Sequence, residues 1–381
     1  MKRNIYTVLC GADRLDESSE LLKGRRCGLM TSASGVDKRG VPTYVKLAEH
    51  YDLTVLFAPE HGIHSVHQAG GWGGTQIDAE TGCPVYDIGG GKNPEIDKAL
   101  SLCDIVVYDI ADVGARFYTY IYSLTHIMTE CAARNIPVLV LDRPDPISGS
   151  LDAIAGAVLD ESRFSSFIGK YALPMRYSMT VGEFARYIND KKNIGCELHV
   201  LRVSGWERAA YADMTDLPWY NPSPNIPTVD CAVNYIGTCI FEATNISEGR
   251  GTTRPFDIVG APFVDSRKLA EHMNSRGLDG VFFSRAYFTP TFSKHAGEIC
   301  EGVQINITDR AAYSPHKCGL HLLAAMREYS EFTWNEWGIC ERYGNDTLTA
   351  HGGFDVDEVV RGETEDIERF KNDIRAYLMY Q

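Results

Sequence analysis

Carboxylates, arginines, tyrosines and a histidine follow three apolar segments of the chain, and these residue types can catalyse group transfer. They lie in residues 59–62 (Pro-Glu-His-Gly), 109–120 and 142–146. Glu60 is the candidate general acid/base, because a carboxyl next to an apolar segment is partly desolvated and keeps its proton more readily. His61 is placed to assist or orient it.

The apolar segments and the stretches between them predict the elements that position these side chains. We predict strands at residues 27–31, 54–58, 105–108 and 138–141, and helices at residues 44–50 and 121–131. Continuous apolar strands that alternate with helices are typical of a parallel sheet covered on both faces. Ligands bind outside the carboxyl ends of such strands, so the three polar segments are expected to meet at one edge.

The strand-end aspartates have a second interpretation, since aspartate also caps helices and shapes turns. For the set as a whole we favour a site. Its members are Glu60, His61, Asp109, Asp112, Arg116, Tyr118, Asp142 and Arg143.

Two kinds of bound group are not expected. The chain has no G-x-G-x-x-G and no phosphate-binding P-loop pattern, and the glycines at residues 71–73 and 89–91 fit neither, so we predict no dinucleotide and no other cofactor. His61, His64 and His67 recur every third residue, but Gly62 interrupts them and H-E-x-x-H is absent. We therefore predict loop histidines and no metal.

The second half contains further polar runs. In residues 242–256, Gly249 and Gly251 would let backbone approach a ligand, and Arg250 and Arg254 offer planar donors for a carboxylate. A solvated loop with a surface ion pair is the alternative. His295 is either a ligand contact or a buried structural residue.

Residues 219–225 (Trp-Tyr-Asn-Pro-Ser-Pro-Asn) supply aromatic rings and amides. Aromatic rings stack on the apolar faces of sugars, and amides hydrogen-bond to sugar hydroxyls. The same residues also suit a rigid surface turn.

A proline, serine and glycine segment at residues 144–150 predicts a domain boundary. We expect residues 1–150 to form a Rossmann-like α/β domain, and residues 151–381 to form an α+β domain with a smaller sheet. Within the second domain we predict strands at 198–201, 281–288 and 303–307, and helices at 181–188, 322–329 and 356–380.

Composition limits the function classes. The net charge of −14 over 381 residues argues against nucleic-acid or anionic-lipid binding, and no apolar run is long enough to span a membrane. The eleven cysteines include no C-x-x-C pair, so we expect mostly buried free thiols. We expect a cytoplasmic protein, although an exported chain whose signal had been removed would look the same. Oligomeric state is left open.

The polar segments together resemble the exo-β-N-acetylmuramidases, bacterial glycoside hydrolases of peptidoglycan recycling long catalogued as a domain of unknown function. The resemblance covers residues 24 to beyond 302, with Ala58 where the family has Gly and a different loop at 63–67. The matching segments are A-P-E-H-G at 58–62, D-I-A-D-V-G-A-R-F-Y-T-Y at 109–120, L-D-R-P-D-P at 141–146, P-S-P-N-I-P at 222–227, E-A-T-N-I-S-E-G-R-G-T-T-R-P-F at 242–256 and Y-F-T-P-T-F-S-K-H at 287–295.

The resemblance implies removal of N-acetylmuramic acid from the non-reducing end of peptidoglycan fragments. It also implies a Rossmann-like domain and a second domain, with the active site in the cleft between them. Glycoside hydrolysis needs a proton donor and a second group, for which Asp109, Asp112, Asp142, Glu248, Tyr118 and the substrate's acetamido group are candidates. Inversion and retention both remain open.

Muramic acid carries a lactyl carboxylate, and Arg116, Arg250 and Arg254 are the candidates to bind it. Other candidate substrate contacts are Asp109, Asp142, Arg143, Asn225, Glu248, Thr253 and His295. Two other functions stay open, namely a metal-dependent hydrolase of another small substrate and a non-catalytic amino-sugar-binding protein.

Overall fold

The computed structural model describes residues 6–68, 75–88, 94–350 and 353–381. The glycine-rich segments at 71–73 and 89–91 lie outside these ranges. The strands are β1 (Arg26–Thr31), β2 (Asp52–Ala58), β3 (Gln76–Ile77), β4 (Pro84–Asp87), β5 (Ile105–Asp109), β6 (Val138–Leu141), β7 (Leu198–Leu201), β8 (Ile258–Ala261), β9 (Val281–Phe288) and β10 (Cys300–Ile307).

The helices in the same ranges alternate with the strands through the first half of the chain. They are α1 (Ser19–Leu22), α2 (Thr43–His50), α3 (Ile96–Leu100), α4 (Tyr120–Ala132), α5 (Glu161–Phe164), α6 (Val181–Lys191), α7 (Val229–Thr238), α8 (Ser266–Ser275), α9 (Pro315–Met326), α10 (Glu336–Tyr343), α11 (Val356–Gly362) and α12 (Thr364–Ile374).

The large sheet has the strand order β3-β4-β2-β1-β5-β6-β7. All neighbouring pairs are parallel except β3 with β4. The chain runs outward from β1 through β2 to β4, then returns to β5 on the other side of β1. The predicted Rossmann-like parallel sheet is thereby confirmed, and its switch point lies between β1 and β5.

Both faces of this sheet are buried, which explains its continuous apolar strands. Along β5, Val106 and Tyr108 belong to one core cluster, whereas Ile105 and Val107 belong to another. Successive strand side chains point to opposite faces, so each cluster fills one face. Helix α2 packs on β1 and β2, and α6 packs on β6 and β7.

A smaller antiparallel sheet, in the order β8-β10-β9, forms in the second half with α8 packed against β9 and β10. This confirms the predicted smaller sheet. β7 pairs with β6 in the large sheet, so that sheet draws on residues from both sides of the boundary predicted after residue 150.

The C-terminal segment differs from the single helix predicted at 356–380. It forms α11, α12 and a short 3-10 helix, Arg375–Tyr377. The break falls at Glu363, whose buried carboxylate accepts from the Tyr343 hydroxyl (2.6 Å) and lies 3.1 Å from His316. Gly362, a weak helix former, precedes it.

The eleven cysteines are all free and buried, as the sequence predicts for most of them. Across the part of the chain that the structure describes, we find no helix that combines the length and the apolar character needed to cross a bilayer.

Candidate active site

Glu60 and His61 lie in a tight turn directly after β2. The Gly62 amide donates to the Pro59 carbonyl (2.9 Å), which closes the turn. Gly62 has φ +79°, and a Cβ there would lie 3.0 Å from the His67 ring. Glycine therefore allows the chain to reverse and leaves Glu60 and His61 buried at the carboxyl end of the strand.

A cavity of about 500 Å³, counting the space open to solvent, lies next to this turn and is lined from both halves of the chain. We call it the catalytic cavity. Its polar lining includes five predicted site residues: Glu60, His61, Tyr118, Asn225 and Arg250. The rest of the lining is Phe117, Thr119, Ile168, Ser223, Ile226, Tyr235, Glu242 and Phe256.

Thr119 holds the Glu60 carboxyl in place. Its Oγ1 donates to Glu60 Oε2 over 2.7 Å, and both residues are buried. Thr119 immediately precedes α4, so the carboxyl lies at the positive end of that helix. The segments at 59–62 and 109–120 thus meet at the sheet edge, as their strand-end positions predict.

His61 is held in one tautomer. Its Nδ1 lies 2.8 Å from the His67 carbonyl, which can only accept, so Nδ1 carries the proton and Nε2 is the acceptor of the neutral ring. Burial lowers the pKa of His61 below its ordinary value, although the charge of Glu60 opposes this. The imidazole is therefore neutral near pH 7 and able to accept a proton.

Aromatic rings form one wall of the cavity. Tyr118 packs edge-on against Tyr120 at 4.7 Å, and Phe117 packs against Tyr235 at 5.0 Å. Tyr235 in turn contacts Phe256 at 4.6 Å. Burial raises the pKa of Tyr118 well above its ordinary value, so the hydroxyl stays protonated and can donate to a ligand.

Another part of the lining is a charged network around Arg250, whose guanidinium lies 5.2 Å from the centre of the Phe256 ring. Its guanidinium lies 2.5 Å from Glu242 and 3.2 Å from Glu248, and Glu242 also accepts from Arg342 (3.0 Å). Glu248 is paired with Lys294 at 2.7 Å. Burial opposes ionisation of Glu242, but the two guanidinium groups outweigh it and lower its pKa.

This network carries three cations and two carboxylates, so it has a net charge of +1 beside the cavity. Glu248 is placed behind Arg250 and is not part of the lining. An anionic group of a ligand would thus find a complementary field on this side.

Asp109 is the last residue of β5 and Asp142 directly follows β6, and both form contacts within the protein. Asp109 pairs with Arg143 through two contacts of 2.6 and 2.9 Å and accepts from Thr43 (2.5 Å). Asp142 accepts from the Gly182 amide (2.7 Å) and from the Thr180 and Tyr380 hydroxyls. None of Asp109, Asp142 and Arg143 lines the catalytic cavity. They tie the strand ends to neighbouring segments.

Arg116 is fully buried, and both terminal nitrogens of its guanidinium donate to backbone carbonyls. It donates to the carbonyls of Ala157 (2.7 Å), Leu173 (3.0 Å) and Arg342 (2.5 Å). Burial lowers its pKa to about 10. Arg116 therefore joins three segments of the chain and does not line the catalytic cavity.

Three other predicted contacts also lie outside that cavity. Thr253 and Arg254 are exposed, and His295 hydrogen-bonds through Nε2 to the Asn245 carbonyl (2.6 Å). The prediction that Gly249 and Gly251 let the backbone approach a ligand is also wrong. A Cβ at Gly251 would meet the Phe292 backbone at 2.5 Å, and one at Gly249 would meet the Arg254 carbonyl at 2.6 Å, so both glycines serve contacts within the chain.

The three histidines after Glu60 make different contacts. His61 and His67 are joined through a ring-to-carbonyl contact, while His64 lies 3.9 Å from Asp78. Within the four described ranges, no group of three or more histidine, cysteine, aspartate or glutamate residues is arranged to hold a metal ion.

Asp145, in the segment after β6, gives a testable pH dependence of stability. Burial raises its pKa to about 7, against about 3.9 in an unfolded chain. Between these values the folded carboxyl keeps a proton that the unfolded one has lost, so this group makes the fold less stable as pH rises. Asp145→Asn should therefore gain stability relative to the wild type at pH 8 more than at pH 5, measured by urea unfolding.

The exposed Asp52→Asn is the matched control and should change little at either pH. Equal shifts for Asp145→Asn at both pH values would contradict the assignment.

Several cavity residues are not among the site residues predicted from the sequence. Phe117 and Thr119 lie in a strand-end segment, and Glu242 and Phe256 lie in the polar run at 242–256, so those two patterns were the available signals. Ile168 and Tyr235 lie outside every such segment, and nothing in their local sequence marks them.

Fold and cavity together define a two-part α/β protein with a carboxyl, an imidazole and an arginine in one cleft. The family model described as exo-beta-N-acetylmuramidase NamZ, N-terminal, matches residues 27–230, and its C-terminal counterpart matches residues 233–380. The chain belongs to this family.

Known relatives match nearly the whole length of this chain. The peptidoglycan beta-N-acetylmuramidase NamZ of Bacillus subtilis (strain 168) is 39% identical, covering 98% of this chain and 91% of that protein. Two crystal structures of DUF1343 family proteins from Bacteroides fragilis NCTC 9343 have TM-scores of 0.86 and 0.76, at 29% and 25% identity. Each covers 98% of this chain and 99% of its own.

Proposed function

We infer that this chain is a glycoside hydrolase that acts on peptidoglycan fragments, and we propose that it releases N-acetylmuramic acid from their non-reducing ends. One observation carries the proposal, namely that Glu60, His61 and Arg250 line a single cavity. The cavity thus contains a proton donor, a proton acceptor and a cation to bind the lactyl carboxylate. The Bacillus relative, named as a peptidoglycan beta-N-acetylmuramidase, supports the substrate class.

In the proposed reaction Glu60 protonates the oxygen that leaves the anomeric carbon. Thr119 orients the Glu60 carboxyl through its 2.7 Å hydrogen bond. The neutral imidazole of His61 accepts, on Nε2, the proton lost by the water whose oxygen bonds to the anomeric carbon, since its Nδ1 proton is held by the His67 carbonyl. The buried hydroxyl of Tyr118 donates to the bound sugar. Asn225, whose amide donates to Gln68 (2.9 Å), contributes to the same rim.

Arg250 is the proposed partner of the lactyl carboxylate. It alone of the three arginine candidates lines the cavity, and the network around it has a surplus positive charge. A lactyl carboxylate would balance this surplus positive charge, whereas a sugar without the lactyl group would leave it uncompensated.

Arg250→Lys should therefore lower kcat/KM on a muramic acid glycoside by about tenfold to a hundredfold, because lysine keeps the charge and loses the planar, two-point recognition of a carboxylate. The already slow reaction on the matching N-acetylglucosamine glycoside should change much less. The measurement is the ratio of the two kcat/KM values.

Arg254→Lys at an exposed position of the same segment is the control and should leave that ratio unchanged. Should Arg254→Lys alter the ratio and Arg250→Lys leave it intact, the lactyl contact belongs to Arg254.

The test of the function is incubation with the disaccharide of N-acetylmuramic acid linked β-1,4 to N-acetylglucosamine. We expect free muramic acid, released from the non-reducing end and unaffected by exhaustive chelation. The anomeric configuration of the first product separates inversion from retention. Binding without release would mean a sugar-binding protein, and loss of activity on chelation would mean a metal-dependent hydrolase.

A further inference from the structure

A second and larger cavity lies beside the catalytic one. It encloses about 1050 Å³, counting the space open to solvent. Ser34 and Val36 follow β1, Ala111 and Asp112 follow β5, and Arg143 follows β6; all five line it. It therefore lies outside the carboxyl ends of β1, β5 and β6, and we call it the switch-point cavity.

This position is where open α/β sheets bind ligands, because the connections from the two central strands diverge there and leave a crevice. The divergence falls between β1 and β5, as the strand order requires. Glu60, by contrast, follows β2, so the residues proposed for catalysis leave the crevice itself unused.

Residues close together in the sequence line the two cavities. Residues 111 and 112 line the switch-point cavity, and residues 117–119 of the same connection line the catalytic cavity. Likewise Pro222 faces the first and Ser223 the second. The Tyr120 hydroxyl donates to the Pro222 carbonyl (3.0 Å), which fixes one wall to the other. A ligand bound across both cavities would touch adjacent residues of two segments.

The charges of the switch-point cavity disfavour an anion. The Arg143 guanidinium is paired with Asp109, and it donates to the Val36 carbonyl (2.7 Å). Lys38 is paired with Asp216. Asp37, Asp112 and Asp213 also line the space, and Asp37 and Asp213 are paired with Lys46 and Arg310, so neither lining cation is left unpaired for an anion.

The remaining lining suits the apolar face of a sugar ring. Trp219 and Tyr220 lie next to Pro218 in the lining. Trp219 is half-buried against the main core cluster and lines the cavity. Aromatic rings without an unpaired cation fit an uncharged amino sugar better than muramic acid.

We propose that the switch-point cavity binds the leaving-group sugar, N-acetylglucosamine, while the catalytic cavity holds the terminal N-acetylmuramic acid. The proposal rests on the proposed function and adds the placement of the second sugar. Trp219 is the specificity-determining residue, because its ring supplies the stacking surface.

The test compares two substrates that share the muramic acid part. One is the β-1,4 disaccharide with N-acetylglucosamine, and the other is the β-fluoride of N-acetylmuramic acid, whose leaving group is a single atom. Trp219→Ala should lower kcat/KM on the disaccharide by about tenfold and leave the fluoride within about twofold, as expected when one aromatic contact is lost. Tyr220→Ala, at a residue that is 38% exposed, is a second variant that should shift the same ratio.

Trp337→Ala is the matched control, since this exposed tryptophan lies outside both cavities and should leave the ratio unchanged. Equal losses on both substrates, or no loss on either, would overturn the proposal. So would a loss confined to substrates that carry a stem peptide, which would make the cavity a peptide site.

A direct binding measurement tests this proposal independently of the proposed function. Saturation-transfer NMR with methyl β-N-acetylglucosaminide should show contact to the wild type and a weakened signal with Trp219→Ala. If the wild type binds this sugar through Trp219 but cleaves neither substrate, the proposed function fails and the binding site stands. If it cleaves the disaccharide but shows no Trp219-dependent binding, the reverse holds.

Discussion

Glu60→Gln should fold like the wild type and lose activity by about a hundredfold to ten-thousandfold in kcat, the range that a general acid contributes. Glutamine has nearly the same shape and its side-chain oxygen can still accept from Thr119, whereas it has no acidic proton to donate. The measurement is the rate of muramic acid release at saturating substrate, with the far-ultraviolet circular dichroism spectrum as the check on folding.

The control for this substitution is Glu298→Gln, an exposed carboxylate 3.8 Å from His295 that is not part of the catalytic lining. It should retain full activity. A Glu60→Gln enzyme with near wild-type kcat would show that another group donates the proton, and Glu242 would be the next carboxylate to examine in the same cavity.

Asp109→Ala should lower the free energy of unfolding by about 3–5 kcal/mol, the usual result when one partner of a buried ion pair is removed. Asp109 is fully buried, and its loss would leave the Arg143 guanidinium without a counter-charge between β5 and the segment after β6. Urea unfolding at neutral pH measures the change.

Asp104→Ala is the comparison, because its ion pair with Arg26 is about half exposed. A surface pair of this kind contributes at most about 1 kcal/mol. If both substitutions cost the same, Asp109 and Arg143 would not form the buried pair described above. Replacing both members by apolar residues of similar volume should recover much of the loss.

The first half of the fold could be predicted because its signals are local. Residues 27–31, 54–58, 105–108 and 138–141 are continuous apolar runs, and each forms a strand within a residue or two of its predicted bounds. β3 and β4 were not predicted, because β3 has only two residues and β4 begins at Pro84, a residue that argues against a strand. Assigning β7 to the large sheet requires a pairing that local sequence does not encode.

For the site, the sequence could locate the segments but not the direction of each side chain. Glu60, His61 and Tyr118 lie in predicted segments and do line one cavity. Arg116 lies two residues from Tyr118, yet it turns inward to three backbone carbonyls. Residue type alone made Arg116 and Arg250 equal candidates, and only burial and partners separate them.

The reactivity of the buried thiols can report local unfolding of the protein. Burial raises the pKa of Cys10 and Cys103 to about 12, so these groups are almost wholly un-ionised and shielded from alkylating reagents at neutral pH. Cys103, which lines neither cavity, reacts only when its part of the structure opens. Timed alkylation followed by mass spectrometry would therefore map local unfolding along the native chain. Cys10 also lines the switch-point cavity, so a sugar bound there should slow its labelling.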